Sequence, residues 1–240
     1  MKKIIIWHLY DNLMNLYGDW GNIAALSECL RQNSLDVDIK FMKKDDEWDT
    51  SESPAFIFIG AGTNNSMYAA FDDLKRRNID FKPLIENGAI LLTCGNSCEL
   101  FGCEIIKENG DTVEALNISE YRGNDQKPYR NRDVVASSPL LSKEIAGFIN
   151  QTGIVTDVSS PAFTIINKDK TTENEGIYLS LGKGELWGTY ITGPVMALNP
   201  PLLEYIAMKI CTNAGTDYTA WNEPNAYKAH EVSLNELKNN

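Results

Sequence analysis

The chain has 240 residues and a formal net charge of −11, from 33 acidic and 22 basic side chains. This acidic balance argues against a surface that binds nucleic acid or anionic lipid, since both need clustered Lys and Arg. No apolar run approaches the length of a membrane span. The five cysteines are scattered, and the first apolar run is too short for a signal peptide, so we expect a cytoplasmic protein.

Strand and helix patterns alternate over the first 95 residues. Apolar runs predict strands at residues 3–8, 55–59 and 89–93, and the alternation of apolar and acidic residues predicts an edge strand at residues 35–42. Apolar residues at helical spacing predict helices at residues 19–31, 66–77 and 83–87. This alternation is typical of a mostly parallel sheet flanked by helices, so the predicted fold class is α/β.

The rest of the chain is less regular. We expect the polar stretch 114–138 to form strands with a long loop. Residues 176–181 and 185–191 are expected to form a hairpin, and residues 200–211 an amphipathic helix. The sequence thus predicts one α/β domain over residues 1–212, followed by a polar C-terminal extension over residues 213–240.

The most informative residue is Cys94, which follows the predicted strand 89–93 and precedes Gly95. Gly95 permits the tight turn that a strand-to-helix connection needs here. Such a turn would place the thiol at the carboxyl edge of the sheet, where open α/β sheets bind ligands. A helix N-terminus beside it would lower the pKa of the thiol, as a nucleophile requires. The alternative is a small buried hydrophobe, our interpretation of Cys29 and Cys211.

A glycine-rich turn follows the predicted strand 55–59. Its residues Gly60, Ala61 and Gly62 are expected to contact substrate with free backbone N–H groups. Together, Gly62 and Gly95 would form an oxyanion hole for a reaction at Cys94. A plain turn is the alternative, and a phosphate-binding loop is not indicated because no Gly-Lys-Ser/Thr follows.

Several segments occur in the order and spacing of a known family. They are LMNLYGDWGNI (13–23), the turn at 60–62, LTCG (92–95), GTYITGP (188–194) and KAHEV (228–232). These segments resemble the class I glutamine amidotransferases of the cobyric-acid-synthase type. Among these, the chain is most similar to glutaminase subunits of lipid II isoglutaminyl synthase, and the likeness covers nearly the whole chain.

The resemblance implies a flavodoxin-like domain that hydrolyses glutamine through a Cys–His pair, with Cys94 as the nucleophile and without a cofactor. Ammonia would pass to a Mur-ligase-like synthetase subunit that amidates the stem-peptide glutamate of a peptidoglycan precursor, lipid II. By the same resemblance, Arg130 corresponds to an arginine that binds the glutamine carboxylate.

The sequence departs from the family at the catalytic histidine, where Thr192 stands. Threonine neither accepts a proton nor protonates ammonia near neutral pH, and general acid–base catalysis contributes roughly 10²–10⁴-fold. His8 is expected in the core and His230 on an exposed helix face. We therefore expect glutamine hydrolysis to be slow, with Thr192 lying close to Cys94.

Other departures concern the segments around the predicted site. Residues 94–102 are one residue longer than the family's nucleophile segment and lack its Gln, and the Arg expected after residues 147–153 is missing. The spacing of Cys94, Cys98 and Cys103 does not match the usual zinc patterns, so no metal site is predicted. Four basic residues either bind an anionic substrate or lie in a solvated loop: Arg122, Lys127, Arg130 and Arg132.

Three functions remain open on the sequence alone. The first is an enzyme subunit that forms a thioester between glutamine and Cys94. The second is a degenerate binding or regulatory module that keeps the fold without hydrolysis, as Thr192 suggests. The third is a Cys-dependent hydrolase of another substrate, with Glu99 assisting.

Overall fold

A six-stranded sheet forms the centre of the molecule. The computed structural model describes residues 1–126, 129–166, 169 and 171–239. The strands of the central sheet are β1 (Lys3–Leu9), β2 (Asp36–Met42), β3 (Phe56–Ile59), β4 (Ile90–Cys94), β13 (Ile177–Leu181) and β14 (Gly184–Thr189). Their order is β13-β14-β4-β3-β1-β2, and only β13 runs antiparallel to its neighbour.

The helices have ends that the sequence specifies locally. They are α1 (Trp20–Gln32), α2 (Asn64–Arg77), α3 (Phe81–Glu86), α4 (Val195–Leu198), α5 (Pro200–Ala214) and α6 (Pro224–Asn239). The Thr63 hydroxyl caps α2 by accepting the backbone N–H of Ser66 at 3.1 Å. Gly215, at a φ of +68°, ends α5 in the left-handed conformation.

Two smaller sheets occupy the middle of the chain. One contains β5 (Glu104–Ile106), β6 (Thr112–Glu114), β7 (Arg122–Asn124) and β10 (Ile154–Thr156). The other contains β8 (Arg130–Ser137), β9 (Ile145–Gln151), β11 (Phe163–Ile166) and β12 (Thr172–Glu175), and it is wholly antiparallel. The sequence analysis predicted strands only up to residue 138 in this region, so it did not predict β9, β10, β11 or β12.

The predicted α/β fold with a mostly parallel sheet is confirmed. Every residue of β3 and β4 is buried, as expected for parallel strands with both faces covered. The strand β2 lies at an edge of the sheet and is mostly half-buried. Within the described part of the chain, no helix is both long and apolar enough to cross a membrane.

Candidate functional site

Cys94 is the last residue of β4, at the carboxyl edge of the central sheet. Its strand lies between β3 and β14, with Thr93 paired to Ile59 and Cys94 paired to Thr189. Gly95 follows at a φ of +70° and begins a 3₁₀ helix, Gly95–Phe101. The predicted strand-to-helix turn is therefore confirmed, and glycine suits it because the left-handed region disfavours other residues.

The glycine-rich turn packs directly against this nucleophile turn. A Cβ atom added to Gly95 would lie 2.6 Å from the Cβ of Ala61 and 2.9 Å from Oε1 of Gln151. A Cβ atom added to Gly60 would lie 2.7 Å from both Cβ and Oδ2 of Asp19. The absence of side chains at these two glycines thus lets the loop, the nucleophile turn and Asp19 approach one another.

The sequence analysis predicted free backbone N–H groups in the glycine-rich turn, but two of these groups donate hydrogen bonds in the structure. The N–H of Ala61 donates to Oδ2 of Asp19 at 3.0 Å, and the N–H of Gly62 donates to Oδ1 of Asn96 at 3.1 Å. Asn96 returns a hydrogen bond to the Gly62 carbonyl at 2.9 Å. The expectation of free donors is wrong because buried backbone groups take partners from nearby side chains. In this conformation Gly62 does not present an open oxyanion donor.

The thiol of Cys94 is completely buried. Burial, followed by the charge of Asp19, raises the pKa of Cys94 well above its usual value. The expectation that a helix N-terminus lowers this pKa is therefore wrong. Desolvation favours the neutral thiol, and only a short 3₁₀ helix follows it.

Two buried carboxyl groups act electrostatically on Cys94, and the sequence analysis identified neither. Burial raises the pKa of Asp19 to about 6, against the opposing effect of backbone hydrogen bonds. Burial likewise raises the pKa of Glu175 to about 7. Glu175 accepts the N–H of Tyr190 at 2.6 Å and the hydroxyl of Thr189 at 2.8 Å. Carboxyl groups with such pKa values are suited to proton transfer near neutral pH.

Thr192 lies three residues beyond Thr189, the β14 partner of Cys94. Its side chain is fully buried. Its N–H and its hydroxyl both donate to the carbonyl of Phe148, at 2.8 and 3.2 Å. These bonds attach the segment after β14 to β9. That Thr192 lies close to Cys94 stays a prediction, which the pairing of Thr189 with Cys94 supports.

Arg130 lies at the start of β8, close to the buried side chains of Tyr190 and Glu99. Its Nη2 donates to the carbonyl of Gly153 at 2.9 Å, and its guanidinium lies 5.0 Å from the ring centre of Tyr190. The Tyr190 hydroxyl donates to Oε1 of Glu99 at 2.9 Å. Burial raises the pKa of Glu99 well above its usual value. Glu99 belongs to the segment 94–102, which lacks the family's Gln, and the carboxylate-binding role of Arg130 stays a prediction.

The other basic residues of the predicted cluster take part in ion pairs. Arg122 lies 3.1 Å from Glu104, and Arg132 lies 2.5 Å from Glu173. Both pairs are part of the small sheets and fit the solvated alternative better than an anion site. Lys127 lies outside the described residues.

The two histidines both belong to the interior. His8 packs between Phe41 and Phe58, with ring-centre separations of 5.8 and 5.4 Å, and its expected core position is confirmed. His230 is only 2% exposed, so its expected exposure is wrong. The helix α6 carries it against β8 and β9 together with Leu234.

The remaining cysteines differ in burial. Cys29, Cys98 and Cys211 are buried, whereas Cys103 is partly exposed. Cys98 donates to the Thr189 carbonyl at 3.3 Å, which explains its place in the core. Over the described ranges, no three His, Cys, Asp or Glu side chains form a group suited to a metal ion.

Comparisons with known proteins point to one family. A family model described as the CobB/CobQ-like glutamine amidotransferase domain matches residues 5–200. The lipid II isoglutaminyl synthase (glutamine-hydrolyzing) subunit GatD of Staphylococcus aureus (strain N315) is 26% identical over 222 residues, covering 91% of this chain and 88% of that protein. The same subunit of Streptococcus pneumoniae (strain ATCC BAA-255 / R6) is 25% identical over 206 residues, covering 83% and 77%.

One solved structure is similar in fold. The glutaminase domain of Trypanosoma brucei CTPS, with bound acivicin, superposes with a TM-score of 0.50. It is 10% identical, and the match covers 92% of this chain and 97% of that one. At this identity the likeness concerns the fold alone.

Proposed function

Because the chain belongs to the CobB/CobQ-like glutamine amidotransferase domain family, we propose that it is a glutaminase subunit that supplies ammonia to a Mur-ligase-like partner. The partner would use the ammonia to amidate lipid II, the substrate in the names of both curated relatives. A cytoplasmic location is part of this proposal.

The observation that supports this function is the placement of Cys94. It ends a fully buried strand at the carboxyl edge of the central sheet, and the glycine-rich turn packs against the residue that follows it. This is the position of a nucleophile in an α/β hydrolytic site. Asp19 and Glu175 add two buried carboxyl groups with raised pKa values whose charges act on Cys94.

The proposed reaction is acyl transfer through Cys94. The sulfur attacks the side-chain carbonyl carbon of glutamine, the C–N bond breaks, and the nitrogen leaves as ammonia after gaining a proton. Water then attacks the thioester, the C–S bond breaks, and glutamate and the thiol are released. The family's histidine would move these protons, so its replacement by Thr192 makes slow turnover the expected outcome.

A second candidate is a degenerate module that binds the partner without hydrolysing glutamine. The hydroxyl of Thr192 favours this candidate, since it donates to the Phe148 carbonyl and is not a base. The buried thiol with its raised pKa points the same way. Both observations are compatible with a slow enzyme, and neither explains why a cysteine ends β4.

Ammonia release from glutamine by the full-length chain, alone and with its Mur-ligase-like partner, tests the choice. We expect slow release that Cys94→Ala abolishes and that Cys103→Ser leaves unchanged. Mass spectrometry after treatment with an electrophilic glutamine analogue should find the adduct on Cys94. Release that is absent in both settings, with no adduct on Cys94, would establish the degenerate module instead.

A further inference from the structure

The carboxyl group of Asp19 lies on the same face of the sheet as the side chain of Cys94. Paired residues on neighbouring parallel strands point to the same face, and Ile59 is paired with Thr93. The next residues, Gly60 and Cys94, therefore share the opposite face. A Cβ atom on Gly60 would lie 2.7 Å from Oδ2 of Asp19. The carboxyl group thus lies beside Gly60, the residue after β3, and its charge acts on Cys94 at the end of the neighbouring strand β4.

One oxygen of this carboxyl group is bonded and the other is not. Oδ2 accepts the N–H of Ala61, which fixes the orientation of the group. Oδ1 is buried and makes no hydrogen bond of normal geometry among the described residues, although the backbone N–H of Tyr17 lies close enough to the carboxyl group to lower its pKa. Asp19 precedes α1, yet its side chain makes no capping bond there. A buried carboxylate oxygen without a partner is costly, and a proton-transfer role explains why the site retains it.

We propose that Asp19 is a catalytic residue that accepts the thiol proton of Cys94 and returns it to the departing ammonia, in place of the missing histidine. The proposal rests on the proposed glutaminase function. As the Cys94 sulfur attacks the amide carbon, its proton moves to Oδ1 of Asp19. As the C–N bond breaks, Oδ1 gives that proton to the nitrogen. In the second half, Oδ1 takes a proton from the attacking water and returns it to the sulfur.

The electrostatics agree with this assignment. Burial, followed by the charge of Asp19, raises the pKa of Cys94, so the resting pair is a neutral thiol and a carboxylate, as general base catalysis needs. A pKa of about 6 leaves Asp19 mostly ionised at neutral pH while keeping it a usable acid. Glu175 is the competing carboxyl group, but both of its oxygens accept hydrogen bonds from Thr189 and Tyr190.

The test compares Asp19→Asn with Glu175→Gln in the full-length chain, measured with its partner present. An asparagine keeps an oxygen for the Ala61 N–H but has no acid–base group. We expect Asp19→Asn to lower kcat by at least about 100-fold with KM changed less than about threefold. Glu175→Gln tests the competing assignment, and a larger loss of kcat in Glu175→Gln than in Asp19→Asn would overturn the role of Asp19. Thermal unfolding of both variants checks that the fold is intact.

The pH profile supplies a measurement that a merely structural role would not change. In the wild type, kcat/KM should rise through a pH of about 6 as Asp19 loses its proton, and Glu175→Gln should keep this limb. Three results would each overturn the assignment of Asp19. The rise of kcat/KM near pH 6 could be absent from the wild type, it could persist in Asp19→Asn, or it could be lost in Glu175→Gln alone. This profile also decides the matter if Asp19→Asn does not fold.

Failure of the underlying function gives a different result. If the wild type shows no ammonia release that depends on Cys94, the glutaminase proposal falls and the role of Asp19 falls with it. If release depends on Cys94 and Asp19→Asn keeps it within threefold of the wild type, only the role of Asp19 is refuted.

Discussion

Replacing Gly95 by alanine tests whether the nucleophile turn depends on its missing side chain. The substitution imposes two separate costs. The backbone has a φ of +70°, which disfavours alanine, and the new Cβ would lie 2.6 Å from the Cβ of Ala61. Ala61 is buried and has no side-chain rotation that could relieve this contact, so the loop itself must move.

Gly215 separates the two costs, since it has nearly the same conformation without the contact. Its φ is +68°, and an added Cβ would meet nothing within 4 Å. The left-handed conformation costs an alanine roughly 1–2 kcal/mol, partly offset by about 0.4–1 kcal/mol from the less flexible unfolded chain. We expect Gly215→Ala to lower the free energy of unfolding by about 1 kcal/mol. Overpacking adds about 1–3 kcal/mol, so Gly95→Ala should lower it by about 3 kcal/mol.

Urea unfolding of the wild type and both variants measures these differences, provided that the m-values agree. We also expect Gly95→Ala to lower ammonia release, because the loop that carries Ala61 must shift away from Cys94. If Gly95→Ala and Gly215→Ala have the same free energy of unfolding to within 0.5 kcal/mol, the close packing of the two turns is refuted.

Three further predictions concern other parts of the molecule. Thr192→His should raise ammonia release by up to about 100-fold, because an imidazole adds a second acid–base group to the one that Asp19 supplies; an unchanged rate would show that this segment does not face Cys94. Burial lowers the pKa of His8 to about 4, so the contribution of the neutral imidazole to stability is complete above pH 6.5 and falls by up to about 3 kcal/mol toward pH 4. The buried carboxyl groups of Asp19 and Glu175 have raised pKa values and act in the opposite direction over this range, so urea unfolding should compare the wild type with His8→Leu at each pH. The difference in the free energy of unfolding between them should change by up to about 3 kcal/mol from pH 6.5 to pH 4, and a constant difference would contradict the cause. Asn199→Ala should lower the free energy of unfolding by about 2–4 kcal/mol, because it leaves the buried N–H and C=O of Ala146 unpaired; the exposed control Asn213→Ala should cost less than about 1 kcal/mol, and equal losses would refute the argument.

The position of Cys94 could be predicted because its signals are local. An apolar run without alternation indicates a strand with both faces covered, and a glycine after it indicates a tight turn. The same reasoning located the turn at Gly60. Neither inference needed to know which strands pair with which.

The carboxyl groups near Cys94 could not be predicted in this way. Asp19 precedes an apolar helix face, where an acidic residue normally indicates an N-cap, and only the packing of Gly60 directs it to the nucleophile instead. Glu175 lies in a polar stretch, and it approaches Cys94 through the pairing of β14 with β4.

The burial of His230, in contrast, had a signal in the sequence. His230, Leu234 and Leu237 recur at helical spacing, and all three belong to the face of α6 that packs inward. The polar composition of the tail concealed this stripe.

The strand order of the central sheet also fixes when the nucleophile becomes covered during synthesis. Cys94 is made 95 residues before Thr189, its partner on β14 (189 minus 94). At about 5–20 residues per second, the ribosome needs roughly 5–20 s to cross that interval. During this time one edge of β4 has no partner strand, and unpaired edges invite association with other chains. The Cys94 thiol is therefore most accessible to oxidants, and the edge of β4 to association with other chains, while the chain is still being synthesised. In the folded protein the thiol is buried.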